Sequence, residues 1–116
     1  MSTQYEIHER MFFFVVRGLK VVRYLPKTIE GKIITDQYVR ALTSVGANDN
    51  EADGVSSKRD FIHVYTIVRK ELKETRYWLR IVAELYPSLK LRLQDLLKEN
   101  EELIKIISSI IVSAAK

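Results

Sequence analysis

The sequence predicts an all-α protein, an antiparallel up-down-up-down four-helix bundle that takes up residues 1–116 as a single domain. Three observations predict it. Apolar residues recur at alternating intervals of four and three through most of the 116 residues, the spacing of one helix face. Only two prolines and four glycines interrupt the chain, and both prolines fall between periodic stretches. The joints between stretches are a few residues long, which makes successive helices antiparallel neighbours.

The first helix begins near Thr3, which with Glu6 forms the capping box "TQYE". Its stripe is Ile7, Met11, Phe14, Gly18, Val21 and Leu25. Pro26 ends it, because proline disfavours helical geometry in the residue before it. The second helix starts around Thr28 with the stripe Ile34, Tyr38, Ala41, Val45, Asn48, Ala52 and Val55. It runs through "SVGANDNEADG", residues 44–54, a stretch whose glycines, asparagines and aspartates otherwise mark a loop. The period passes through the segment without a slip, so we read helix there. A mid-helix glycine costs about 1 kcal/mol relative to alanine, which a packed face can override. Ala41, Gly46, Ala47 and Ala52 would let a neighbouring helix come close.

Gly54 stops the second helix, and Ser57 opens the third with the capping box "SKRD". The third stripe is Phe61, Tyr65, Val68, Leu72, Thr75, Leu79, Val82 and Tyr86, closed by Pro87. The fourth is Leu89, Leu93, Leu96, Asn100, Leu103, Ile107, Ile110 and Ala114.

Two helices carry more apolar face than one bundle needs. Val64, Ile67, Trp78, Ile81 and Leu85 flank the main stripe of the third, and Phe12, Val15, Leu19 and Val22 flank that of the first. A bundle helix needs an apolar arc of only a little over ~100°. Either the core is wide or another subunit covers the surplus, and the second reading is favoured.

Several function classes are excluded or disfavoured. Without cysteine there is neither a disulfide framework nor a cysteine-based metal or redox site, which fits a cytoplasmic protein. The run "MFFFVV" is too short to span a bilayer, and Arg17 follows it at once without a small-residue cleavage site. A membrane role is therefore not expected. A di-iron bundle site needs Glu-x-x-His pairs, but the only histidines, His8 and His63, do not follow a glutamate by three. With no phosphate loop and no nucleophile signature, we expect no enzyme, no catalytic residue, no metal and no cofactor.

Two groups of polar residues stand out. The net charge is +4, and Arg10, Arg17 and Lys20 on the first helix and Arg69, Lys73, Arg76 and Arg80 on the third are spaced to share faces opposite the apolar arcs. They are either solvated outer faces or a track for a nucleic-acid backbone, which needs only closely spaced cations. No motif for sequence-specific readout accompanies them. The second group is Asn48 and Glu51 on the second helix with Glu71 and Glu74 on the third. Glu71 and Glu74 share a face and could hold a metal or act as acid and base. A structural network paired with Arg40 or Lys70 is the favoured reading, expected to be buried.

Residues 37–82 also resemble a known family. The stretches "RALTSVGANDNEA" (residues 40–52), "SKRDF" (57–61) and "KELKETRYWL" (70–79) closely resemble the four helix bundle protein family, also called the 23S rRNA intervening sequence protein family. The likeness is contiguous over more than a third of the chain, and Asp49 and Asn50 stand where members vary. The resemblance implies a bacterial, non-enzymatic protein that assembles as a ring, commonly a homopentamer. It also implies two lines of function. Some members are encoded inside insertions in 23S ribosomal RNA genes. Distantly related accessory variability proteins of diversity-generating retroelements partner a reverse transcriptase and RNA. The leading expectation is a homo-oligomeric scaffold that binds RNA or DNA through its basic face; the alternative is a reverse-transcriptase accessory subunit.

Overall fold

A computed structural model gives four helices, with no strand among the described residues. It describes residues 4–116, with side chains from residue 6 onward. Helix α1 spans Gln4–Lys20 and tightens into a 3₁₀ turn at Val21–Tyr24, after which Pro26 halts it. Helix α2 spans Ile29–Glu51 and ends through a 3₁₀ turn at Ala52–Gly54. Helix α3 spans Lys58–Leu85, and a turn at Pro87–Leu89 leads into α4, Lys90–Ala115. Each helix packs beside its sequence neighbours, α4 closes on α1, and the long axis measures 45 Å. α1 and α3 therefore lie across the diagonal, as do α2 and α4.

The caps explain two starts. Thr28 Oγ1 accepts the Gly31 N–H at 3.1 Å, and Ser57 Oγ accepts the Asp60 N–H at 3.1 Å, each satisfying one of the donors a helix start leaves free. The capping box expected at Thr3 lies outside the described residues. "SVGANDNEA" is helical throughout, as the period requires.

The core takes one stripe from each helix. Ile7, Met11, Phe14, Tyr38, Tyr65, Leu72, Leu79, Leu93, Leu103 and Ile107 are all buried. On α2 the buried face is Ile34, Tyr38, Ala41, Leu42, Val45, Asp49 and Ala52, so toward its end the stripe passes to Asp49, not to Asn48. A straight helix advances about 3.6 residues per turn, and a strict four-three pattern drifts about 20° per heptad against it. That drift is small beside the ~100° between successive residues; what decides is the azimuth of the buried face, for Asp49 stands near the middle of the face set by Tyr38, Leu42 and Val45, and Asn48 stands nearly a quarter-turn away.

Small residues set the closeness of α1 and α2. A Cβ on Gly18 would lie 2.6 Å from Leu42 Cδ2 and 2.9 Å from the Tyr38 hydroxyl oxygen. The Tyr38 hydroxyl donates to the Gly18 carbonyl at 2.6 Å, and burial pushes its pKa far above the usual 10.0. Further along α2, Gly46 receives Val15 of α1, whose Cγ2 would be 3.2 Å from an added Cβ.

Candidate functional site

The polar centre of the molecule is a junction of three helices around Asp49, which is only 4% exposed. Asp49 shares the buried face of Tyr38, Leu42 and Val45 on α2, so its carboxylate turns inward, where His8 of α1 and Tyr65 of α3 meet it. His8 Nδ1 lies 2.8 Å from Asp49 Oδ2, and the Tyr65 hydroxyl donates to Asp49 Oδ1 at 3.1 Å. On the other side of the ring, His8 Nε2 lies 2.9 Å from Asp53 Oδ1, though without hydrogen-bond alignment. Burial works to lower the pKa of His8. The hydrogen bond and charge of Asp49, with Asp53, outweigh it and leave His8 above its ordinary 6.5. Asp49 is raised above 3.8, chiefly by burial, while His8 and Tyr65 draw it back. The arrangement is a charged pin between helices. Among the described residues no group of three or more His, Cys, Asp or Glu side chains is arranged so that it could hold a metal ion.

The expected buried network of Arg40, Asn48, Glu51, Glu71 and Glu74 does not assemble within the chain. The Arg40 side chain is 69% exposed and pairs along its own helix with Asp36, at 3.2 Å. Glu51 and Glu74 are exposed, and Glu71 is half-buried. Half-buried Asn48 donates to the carbonyl and hydroxyl oxygens of Ser44 at 2.9 and 3.1 Å. Glu71 and Glu74 do stand together: the neighbouring Glu71 carboxyl, foremost by hydrogen bonding, raises Glu74 above 4.5, with Lys70 and Arg40 pulling the other way. The physical reason for the difference is the azimuth of the buried face of α2, centred on Tyr38, Leu42 and Val45, which gives Asp49 the inward position that Asn48 was expected to hold. Both partners of Asp49 come from the flanking helices. His8 is adjacent to the α1 stripe and Tyr65 is on the α3 stripe, and those positions were the available signal.

The basic residues divide. Arg10 grips α4, with Nη2 2.6 Å from Glu99 Oε1, Nε donating to Glu99 Oε2 at 3.1 Å, and Glu102 at 3.5 Å. The Glu99 hydrogen bond, foremost, raises its pKa further. Arg10 is thus a structural clasp between α1 and α4. Arg17 and Lys20 are exposed, as are Lys73 and Arg80, while Arg69 and Arg76 are half-buried. The four cations of α3 recur at intervals of four, three and four, so they share one side of that helix. Arg80 lines a groove with Lys90, Gln94 and Leu97 of α4, which places that side toward α4. Because α1 lies across the diagonal, its cations do not extend this track within one chain.

A larger groove, of about 560 Å³, runs between α1 and α2. Phe12, Val15, Val16 and Leu19 line one wall, Thr43, Gly46 and Ala47 the other, with His8, Asp49 and Asp53 at one end. Phe12 is 59% and Leu19 39% exposed, so these two residues of the surplus apolar arc of α1 find no cover within the chain, while Val15 and Val22 are half-buried against the core. No helix among the described residues is long and apolar enough to cross a membrane.

Comparison with known proteins agrees with this architecture. None of the curated proteins matches the chain. A crystal structure of a protein of unknown function from the S23 ribosomal protein family of Bacteroides thetaiotaomicron is similar with a TM-score of 0.82 and 28% identity, over 90% of this chain and 97% of that one. The family model described as 23S rRNA-intervening sequence protein matches residues 3–109. That match takes in all of the four-helix frame but the last turns of α4, and the chain belongs to the 23S rRNA-intervening sequence protein family.

Proposed function

We propose that this protein is a non-enzymatic scaffold of the bacterial cytoplasm that assembles with copies of itself and holds nucleic acid on its α3 side. The observation that carries the reading is the uncovered apolar wall of α1, where Phe12 and Leu19 stand exposed beside a groove of about 560 Å³. Contiguous apolar surface of this kind marks an interaction site. A ring of five is the assembly that the family likeness suggests. The α3 track of Arg69, Lys73, Arg76 and Arg80 supplies cations for a phosphate backbone, and such binding weakens steeply with salt.

Light scattering tests both parts. The wild type is expected at the mass of an oligomer, and Phe12→Ser with Leu19→Ser at that of a folded monomer. Structured RNA should add mass at low salt and leave at high salt, and Arg69→Gln with Lys73→Gln should reduce the uptake. A monomeric wild type would overturn the scaffold reading. RNA uptake that ignores the α3 variant would overturn the track. A reverse-transcriptase gene beside this one would instead favour the accessory-subunit reading.

A further inference from the structure

We propose that the end of the bundle where α1 turns into α2 and α3 into α4 docks an acidic protein segment bearing aliphatic side chains. The antiparallel topology collects the tails of α1 and α3 and the heads of α2 and α4 there. Two contacts tie that end together. Arg92 donates to the Tyr24 hydroxyl at 3.1 Å and stacks over its ring, and Lys90 pairs with Glu84 at 3.2 Å.

Two properties coincide at this end. The first is exposed apolar surface: Ile29 is 81% and Leu91 77% exposed, and Ile33, Tyr24 and Leu85 are also open. The second is charge. Residues 17–36 and 76–95 hold nine Lys and Arg against four Asp and Glu, while the rest of the chain holds ten against eleven. This end therefore carries +5 and the remainder −1. At the same end, apart from those exposed residues, lies a groove of about 360 Å³ lined by Val22, Leu25 and Val39 with Lys27, Lys32 and Asp36. An apolar side chain entering it would have both ammonium groups at the rim.

This combination selects the occupant. A second copy docked end to end would oppose two like charges, which is unfavourable. A nucleic-acid backbone would satisfy the cations but leave Ile29, Ile33 and Leu91 bare. An anionic lipid surface presents its charge across the whole end at once and so also meets Glu30, Asp36, Glu84 and Asp95, whereas a short segment can set its carboxylates on Lys27 and Lys32 alone. A segment with carboxylates flanking two aliphatic side chains answers both properties, with one anchor in the groove, the other on the exposed Ile29 and Ile33, and charge fixing register. Val22 continues the apolar arc of α1 into this site, but the groove shares none of the residues that line the larger one.

Panning a random-peptide phage library on the protein, with counter-selection on the Lys27→Glu, Lys32→Glu variant, tests the proposal. Enriched peptides are expected to carry aspartate or glutamate beside leucine, isoleucine or phenylalanine. In fluorescence anisotropy the best of them should bind about tenfold more weakly, a 1.4 kcal/mol step at most, to Ile29→Ser with Ile33→Ser, and as strongly as wild type to Arg69→Gln with Lys73→Gln. Circular dichroism would confirm that each variant is folded. Enrichment of peptides without acids, no enrichment, or equal binding by plain polyglutamate would overturn it. So would displacement of the peptide by structured RNA or phosphatidylserine vesicles in a manner that needs Lys27 and Lys32 but not Ile29 and Ile33.

Discussion

Replacing Asp49 with alanine should be among the costliest polar changes in this protein. Two hydrogen bonds end on its carboxylate, one from Tyr65 at 3.1 Å and one shared with His8 at 2.8 Å. The Tyr65 ring is fully buried, so its hydroxyl would lose its Asp49 acceptor away from water. Losing a buried hydrogen bond of this kind costs about 1–3 kcal/mol. Losing the charge-assisted bond to His8, whose side chain is 20% exposed, adds roughly 1 kcal/mol. Asp53, 65% exposed, adds little because solvent screens it. The expected total is about 2–4 kcal/mol, or roughly 7–15 °C in Tm for a chain of this size. Urea unfolding at fixed protein concentration would measure it for Asp49→Ala, Tyr65→Phe and the double variant. The two single losses should not add, because removing the carboxylate already removes the tyrosine's partner. Full additivity, or an Asp49→Ala cost within about 0.5 kcal/mol of zero, would refute the reasoning.

Three further outcomes are expected. Both His8 and Asp49 are raised above their ordinary values, so the folded state holds their protons more tightly and stability falls as pH rises through each window; for His8 its contribution is complete below 6.5 and is lost above it, and His8→Gln should flatten the stability–pH curve there. Gly18→Ala should destabilise by about 1–2 kcal/mol in urea unfolding despite alanine's better helix propensity, because its Cβ meets Leu42 and Tyr38. Asn100 is buried with its Oδ1 unpartnered, its amide donating only to the Leu72 carbonyl at 3.1 Å; Asn100→Leu should therefore hold or raise stability by about 1 kcal/mol in thermal unfolding, and a loss would point to a partner for that oxygen.

The helices were legible because their signals are local. Thr28, Ser57, Pro26 and Pro87 act within a turn of where they stand, and the stripes of α3 and α4 needed no distant information. The polar centre was harder to read for a geometric reason. Asp49 is inward because the buried face of α2 centres on Tyr38, Leu42 and Val45 rather than on the heptad count from Ile34, and its partners lie 41 and 16 residues away. Arg10 illustrates the same limit. Its spacing on α1 is that of a solvated basic face, yet Glu99, 89 residues on, claims it. Periodicity tells which residues point inward, but not which of the outward ones will meet across a helix boundary. The bare wall of α1, by contrast, is plain in the sequence as a surplus of apolar positions at Phe12, Val15 and Leu19.

The packing of α1 has a kinetic consequence. α2 and α3, and α3 and α4, share far more extensive interfaces than α1 makes with α4. The bundle is therefore a three-helix platform with α1 laid along it and fastened at discrete points by His8, Arg10 and the Gly18 carbonyl. Such an element opens before the whole molecule unfolds. Hydrogen exchange should show α1 amides exchanging ahead of those in the middle of α3, and releasing any one fastening should widen that gap. A strand of helix that detaches first also bares Ile7, Met11 and Phe14 at a moment when the vacated slot of a neighbouring copy has the same shape, so trading first helices is the misassembly to which this fold is most open.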